Sequence, residues 1–211
     1  GTIKNIDVSR QGVFNPAKLA FTWQSVTQPD VDFDLVCFGY NIIVGVLKNV
    51  ARIPISNSKD AHTVVDLLKG CKAIYEKIIE RYSDSFCNVL ELSKITVLKS
   101  YIDFYFQYAM IQNSVISSKS SFLLLGKLAE GLRLRLTKFQ PPQPDIELYL
   151  NAVALISLSI GYSTENNPEL DIATRYGIAV YFGRQAMLLQ PTNKRGKQVP
   201  SIITPLLQQF Q

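Results

Sequence analysis

Long stretches with apolar residues every three or four positions, divided by short polar or proline-rich breaks, constrain this chain most. Such spacing gathers apolar side chains on one face of an α-helix. It is clearest over Ser58–Tyr82, where one face holds Val64, Val65, Leu67, Leu68, Cys71, Ile74, Tyr75, Ile78 and Ile79. The pattern therefore predicts a helix there, with Ser58 as its N-terminal cap.

The same spacing predicts further helices along the chain. Six helices are expected within residues 34–189, over Asp34–Val50, Ser58–Tyr82, Leu90–Ile116, Ser121–Phe139, Asp145–Tyr162 and Glu169–Leu189. A short terminal helix is expected over Ser201–Phe210, after a loop over Pro191–Pro200. Residues 1–33 lack this periodicity, so they are expected to form an extended segment, notably over 13–21. Long helices joined by short breaks are antiparallel neighbours. We therefore expect an all-α fold, either a compact bundle or a solenoid similar to tetratricopeptide repeats.

The length of 211 residues suits one large domain or two small ones, and we expect one folded domain over residues 1–211. Hydrophobic residues make up 47% of the sequence and charged residues 18%, which is enough apolar surface to offset the entropy of ordering. The net charge of +5 is small, and its only dense basic cluster, at 194–197, is interpreted as a solvated loop. The uncharged run Leu148–Thr164 is almost long enough to cross a bilayer. Its polar residues favour a helix buried inside the protein instead.

The three cysteines, Cys37, Cys71 and Cys87, indicate a reducing compartment. An odd number without close pairing argues against a disulfide framework and against a zinc site. Cys37 and Cys71 lie in apolar helical stretches, where a free thiol behaves as a small core residue. The cysteines therefore favour the cytosol or the nucleus, and we expect a cytoplasmic protein.

The candidates for catalysis and metal binding are few. His62 is the only histidine, and its place at a helix start favours a surface role over a catalytic one. One histidine cannot build a histidine-based metal site. The alternating Asp30, Asp32 and Asp34 are interpreted as an acidic helix start that complements the helix dipole. No phosphate-binding loop occurs, so we predict no catalytic residue, no metal and no cofactor.

Aromatic residues are concentrated in 103–108, next to Lys99 and Lys119. Interleaved basic and aromatic residues can bind single-stranded nucleic acid. The helical spacing spreads these rings around a helix, however, which favours packing against other helices. We therefore predict a core role for the aromatics and no nucleic-acid partner.

Residues 19–24 (Leu-Ala-Phe-Thr-Trp-Gln) precede an apolar helix over 33–47. This order of segments resembles that of the BRO domain, the helical domain of ALIX-like and fungal palA-like proteins. Residues 119–129 and 175–182 resemble later helices of the family. The resemblance covers about residues 18–190, and Gly177-Ile178 replaces the family's Gly-Glu pair. The chain therefore resembles a divergent or partial member.

The resemblance implies an elongated, curved, boomerang-like domain around a tetratricopeptide-like core. It also implies a scaffold without enzymatic activity that binds the amphipathic C-terminal helix of an ESCRT-III filament subunit. Recognition would follow the helix-in-groove mode. The expected setting is endosomal sorting or ambient-pH signalling, with a cytoplasmic protein recruited to endosomes and only indirect association with their membrane.

Carried over by position, the partner-binding patch implied by the resemblance is Val65, Met110, Leu124 and Leu128. Leu124 and Leu128 are four residues apart and so share one helical face, and a flexible methionine adapts to a partner. The alternative is a tetratricopeptide-like adaptor with an unrelated peptide or protein partner. A third class, an all-α enzyme or lipid-binding protein, would require a closed apolar cavity with convergent polar groups.

Overall fold

The computed structural model describes residues 21–23, 26–28, 31–51, 53, 55–83, 90–117, 120–139 and 144–189. Its helices are α1 (Val31–Val50), α2 (Ser58–Arg81), α3 (Leu92–Ser117), α4 (Phe122–Leu136), α5 (Pro144–Thr164) and α6 (Ile172–Leu188). The all-α prediction is confirmed. The segments predicted before residue 21, over 191–200 and over Ser201–Phe210 lie outside the described residues.

A two-stranded antiparallel hairpin is the only β structure in the described part of the chain. It consists of β1 (Phe21–Trp23) and β2 (Val26–Gln28). Trp23 pairs with Val26, and Phe21 pairs with Gln28. An extended N-terminal segment was predicted, but its pairing into a hairpin was not.

Capping side chains and turns shift several helix boundaries from their predicted positions. Helix α6 begins at Ile172 rather than Glu169, because the Asp171 carboxylate accepts a hydrogen bond from the Thr174 N–H at 2.9 Å and caps the helix. Helix α4 ends at Leu136 rather than Phe139. There the Phe139 N–H donates to the Leu136 carbonyl at 3.0 Å, in the tighter pattern of a turn.

The cap of α2 is Asn57, so the prediction of Ser58 as the cap is wrong by one residue. The Asp60 N–H donates to Asn57 Oδ1 at 2.9 Å, and Asn57 Nδ2 donates to Asp60 Oδ2 at 2.8 Å. This reciprocal pair satisfies a backbone donor that the first turn of a helix leaves unpaired.

The structure divides into two compact units. The first contains residues 1–53 and 66–105, and the second contains residues 54–65 and 106–211. Helices α2 and α3 each contribute residues to both units. A single domain over residues 1–211 and a boomerang-like outline therefore stay predictions.

In the first unit, α1 and α2 are antiparallel. Asp32, near the start of α1, lies 2.5 Å from Arg81 at the end of α2. Further along, Gly39 faces the side chains of Ile74 and Ile78. Fully buried apolar side chains form the core, among them Phe33, Val36, Ile43, Leu68 and Ile95.

In the second unit, α5 packs between α4 and α6. Gly161 lies against Leu123, and Gly126 lies against Leu158, so α4 and α5 are antiparallel. Ser159 Oγ donates to the Ala179 carbonyl of α6 at 2.8 Å. The predicted burial of this helix is confirmed, because α5 supplies the core residues Tyr149, Leu150, Val153, Ala154 and Ile156.

Among the described residues, two helices are long and apolar enough to cross a bilayer by length and composition alone. They comprise Asp32–Val50 in α1 and Asp145–Thr164 in α5, with 44% and 56% of the respective apolar windows buried. Core helices pass the same test. The apolar side chains of α5 are largely used in packing with its neighbours.

Candidate functional site

An open apolar groove lies between α3 and α4 in the second unit and has a volume of about 240 Å³. We call it the α3–α4 groove. Its lining consists of Phe106, Gln107, Met110, Ile111, Ser114, Ser120, Leu124, Leu125 and Leu128. Ile111 and Leu125 are buried and form the floor. Met110, Leu124 and Leu128 form the walls and are 44%, 55% and 53% exposed, which is high for large apolar side chains.

Three of the four residues predicted for a binding patch meet in this groove. Met110 approaches from α3, and Leu124 and Leu128 approach from successive turns of α4. Val65 does not join them, because it is only 7% exposed and lies in the core. Its predicted position on an exposed patch is wrong, and whether the other three bind a partner stays a prediction.

Glu165, which follows the end of α5, lies at one end of the groove and binds the start of α4. Its carboxylate accepts hydrogen bonds from Ser121 Oγ at 2.6 Å, from the Phe122 N–H, and from the Leu123 N–H at 3.3 Å. A carboxylate is favoured at a helix N-terminus, where backbone donors are unpaired. Glu165 therefore links the start of α4, just before Leu124, to the end of α5.

The α4 side of the groove is positively charged. Helix α4 carries three cations, Lys127, Arg133 and Arg135, and one carboxylate, Glu130. Glu130 is bound by Arg133 through two hydrogen bonds of 2.8 Å, which lower the pKa of its carboxyl. Arg135 donates to the neutral Gln107 amide at 3.2 Å. Within the described residues, Lys127 and Arg135 are therefore cations without a carboxylate partner.

A second apolar groove lies between α1 and α2 in the first unit, with a volume of about 300 Å³. We call it the α1–α2 groove. Its lining includes Leu35, Phe38, Ile42, Ile74 and Ile78. Leu35 and Phe38 are 45% and 40% exposed. Helical spacing did not predict this groove, because nearly every position of α1 is apolar and the spacing does not show which of these side chains a neighbouring helix covers.

The cations beside the α1–α2 groove are already paired. Lys77 Nζ lies 2.6 Å from Glu80 Oε2, and Arg81 Nη1 lies 2.5 Å from Asp32 Oδ1. The hydrogen bond from Lys77 lowers the pKa of the Glu80 carboxyl. The rim of this groove therefore has little charge left to offer a ligand.

Two buried cysteines, Cys37 and Cys71, and the exposed His62 are the described thiols and imidazole. Burial, together with the nearby Asp34, raises the pKa of the Cys37 thiol to about 12, and burial also raises the pKa of Cys71. Thiols of this kind carry little thiolate at neutral pH and are inert. His62 is exposed, and its Nδ1 lies 2.6 Å from the Ser58 carbonyl oxygen. Because that oxygen can only accept, Nδ1 carries the proton.

Within the ranges that the structure describes, no three His, Cys, Asp or Glu residues gather in a way that could hold a metal ion. Phe104 and Tyr105 are buried, and Tyr108 contacts the Tyr149 ring edge-on at 5.6 Å. The predicted core packing of these aromatic residues is confirmed.

Comparisons with known proteins found no relative of this chain. No protein-family model, no curated protein and no solved structure matches the chain. The resemblance to the BRO domain therefore stays a prediction from the sequence.

Proposed function

We propose that this protein is a non-enzymatic, BRO-like scaffold whose α3–α4 groove binds an amphipathic helix of a partner. The sequence resemblance names that partner as the C-terminal helix of an ESCRT-III filament subunit. The scaffold would be cytoplasmic and recruited to endosomes, in endosomal sorting or ambient-pH signalling. One observation carries the proposal: Met110, Leu124 and Leu128 are about half exposed and line one apolar groove.

The dimensions of the groove suit a helix better than a small molecule. The groove follows α3 from Phe106 to Ser114, a distance of about 12 Å at 1.5 Å per residue. Apolar anchors at positions i, i+4 and i+7 of a ligand helix span about 10 Å. Its volume of about 240 Å³ is below the roughly 300–1,000 Å³ of typical small-molecule pockets. It can therefore receive a few side chains from one face of a helix.

The charge of α4 favours an acidic ligand. Lys127 lies between Leu124 and Leu128 in the sequence and is exposed on the same helix. Arg135 continues that side of the helix beyond the groove and is also exposed. Carboxylates flanking the apolar stripe of a ligand would meet these two cations. We therefore expect an amphipathic helix with an acidic polar face.

Calorimetric titration of the full chain with the C-terminal helix of an ESCRT-III filament subunit tests the proposal. We expect binding in the micromolar range. The double variant Leu124→Asp with Leu128→Asp should weaken binding at least about thirtyfold, because charged residues replace two apolar anchors. Leu134→Asp is the matched control, since Leu134 is 55% exposed on the same helix but lies outside the groove lining.

Far-UV circular dichroism and thermal melting of each variant separate loss of binding from loss of fold. Normal folding with lost binding in the double variant, and normal binding in Leu134→Asp, would support the proposal. Absence of wild-type binding at high micromolar peptide would overturn the ESCRT-III assignment. A tetratricopeptide-like adaptor would then be supported if a different amphipathic peptide binds and Leu124→Asp abolishes its binding.

A further inference from the structure

The side of α4 that lines the α3–α4 groove is a narrow stripe whose chemistry changes along the helix. At 3.6 residues per turn, four positions lie within about 60° of one another around the helix axis. They are Leu124, Leu128, Gly131 and Arg135, and all four are exposed. The stripe therefore begins with two apolar side chains, continues with a position that has no side chain, and ends with a cation.

Arg135 reaches across the groove at the end farthest from Leu124. Its Nη1 donates to Oε1 of Gln107 on α3 at 3.2 Å, and Gln107 belongs to the groove lining. The Cα–Cβ bonds of a helix tilt toward its N-terminus, so the side chain of Arg135 projects back toward the level of Gly131. A Cβ built on Gly131 would meet no described atom within 4 Å. The guanidinium therefore borders an open space at the end of the apolar walls.

The hydrogen bond to Gln107 orients Arg135 without neutralising it. Among the described residues, this bond occupies one of the five N–H donors of the guanidinium. The acceptor is a neutral amide, so the positive charge stays available. A planar guanidinium binds a carboxylate through two parallel N–H donors. Arg135 can therefore bind one carboxylate of a ligand that fills the groove.

The opposite end of the groove carries a negative charge. There the Glu165 carboxylate accepts hydrogen bonds from Ser121 Oγ at 2.6 Å and from the Leu123 N–H at 3.3 Å, next to Leu124. Leu124 and Arg135 are eleven residues apart, which is about 16 Å along the helix axis. The two ends of the groove therefore differ in the sign of their side-chain charge.

This difference favours one direction for a bound helix. A helix carries about half a positive charge at its N-terminus and about half a negative charge at its C-terminus. The N-terminus of a ligand helix is therefore favoured near Glu165, and its C-terminus near Arg135. The dipole of α4 itself opposes this direction, but its half charges are smaller than the full charges of the two side chains.

We propose that the α3–α4 groove holds its ligand helix parallel to α4, and that Arg135 selects a carboxylate one helical turn past the ligand's last apolar anchor. With anchors at i, i+4 and i+7 and the first at the level of Leu124, position i+11 of the ligand lies at the level of Arg135. The ligand is thus an amphipathic helix with Asp or Glu at i+11. Its direction and its carboxylate contact both rest on the proposed function, because they concern the same groove.

Three synthetic helices with identical leucine anchors at i, i+4 and i+7 test the proposal. One carries Glu at i+11, one carries Glu at i−4, and one carries Gln at both positions. In a helix bound in the reverse direction, position i−4 would lie at Arg135. Calorimetric titration of the full chain at low salt should show the i+11 peptide binding about threefold to fivefold more tightly than the other two, as expected of an exposed ion pair. The preference should fade as salt rises.

Substitutions at the end of the groove identify the residue responsible. Gln107→Glu is nearly isosteric and gives Arg135 an ion pair within the protein, so the preference for the i+11 peptide should disappear. Arg135→Gln should have the same effect. In both variants the affinity for the Gln peptide, which reports on the apolar walls, should stay unchanged. Lys127→Gln is the matched control, because it removes the same charge from α4 about 12 Å away along the axis and should preserve the preference.

The remaining outcomes would overturn the proposal in distinguishable ways. Equal affinity of the wild type for all three peptides would leave the groove as a helix-binding site but exclude selection by Arg135. Tighter binding of the i−4 peptide would reverse the assigned direction. A preference that survives in Arg135→Gln would assign it to another group. Failure of all three peptides to bind would overturn the proposed function itself, and the direction with it.

Discussion

The α3–α4 groove and the α1–α2 groove are both lined by partly exposed apolar side chains, yet their charged rims differ. Lys77 and Arg81 beside the α1–α2 groove are held by Glu80 and Asp32. Lys127 on α4 forms no ion pair with any described residue, and Arg135 contacts only a neutral amide. A cation already paired within the protein gains less from a ligand carboxylate than an unpaired one.

Two apolar grooves can therefore differ in how well they bind the same charged ligand. Apolar walls supply most of the binding free energy through burial, and this contribution is available at both sites. Complementary rim charge adds specificity and speeds association. On this basis we propose the α3–α4 groove as the site for an acidic amphipathic helix, although the α1–α2 groove has the larger volume, about 300 Å³.

Adding a methyl group at the helix–helix contact beside each groove should change the free energy of unfolding by different amounts. In Gly161→Ala the new Cβ would lie 2.7 Å from the Leu123 backbone nitrogen, an atom that cannot move without shifting α4. Overpacking typically costs about 1–3 kcal/mol, against a gain in helix propensity of about 1 kcal/mol. We expect unfolding in urea to show a net loss of up to about 2 kcal/mol, with weaker peptide binding because α4 is displaced.

Gly39→Ala is the counterpart in the α1–α2 pair. There the nearest atoms are the side-chain ends of Ile74 and Ile78 at 3.1 Å, which can rotate away. The gain in helix propensity should offset this crowding, leaving stability within about 0.5 kcal/mol of the wild type. Equal destabilisation by both substitutions would show that the α4–α5 contact is no tighter than the α1–α2 contact.

Reversing one rim charge at each groove should change peptide affinity less than the substitutions above. Only the change at the α3–α4 groove should lower that affinity. Lys127→Glu should weaken binding of an acidic peptide by about threefold to fivefold at low salt, since exposed charge pairs are worth about 0.2–1 kcal/mol. The effect should fade as salt rises. Lys77→Glu disrupts only the protein's own pair with Glu80 and should leave peptide affinity unchanged. Similar losses from both variants would refute the assigned role of the rim.

The sequence predicts the helices well because their apolar spacing is a local property. The predicted helix starts differ from the observed ones where a polar side chain caps the helix. Asp171 caps α6, whose predicted start was Glu169, and Asn57 rather than Ser58 caps α2. The pairing of β1 with β2 was not predicted, because strands of three residues carry too little periodicity.

The candidate site was only partly predictable for a related reason. Helical spacing identifies an apolar stripe, but not which part of the stripe a neighbouring helix covers. Val65 and Leu124 both lie on apolar stripes, yet Val65 is 7% exposed and Leu124 is 55% exposed. The capping of α4 by Glu165 crosses 44 residues of sequence from Ser121, so no local pattern could show it.

Site-specific photo-cross-linking tests the central claim most directly, because it shows which groove holds the peptide. Benzoylphenylalanine would be placed at Leu128 in one variant and at Phe38 in another, two exposed positions that tolerate a larger side chain. We predict that the ESCRT-III helix cross-links at position 128, that unlabelled peptide competes, and that position 38 gives no product. Cross-linking at position 38 but not at 128 would contradict the account.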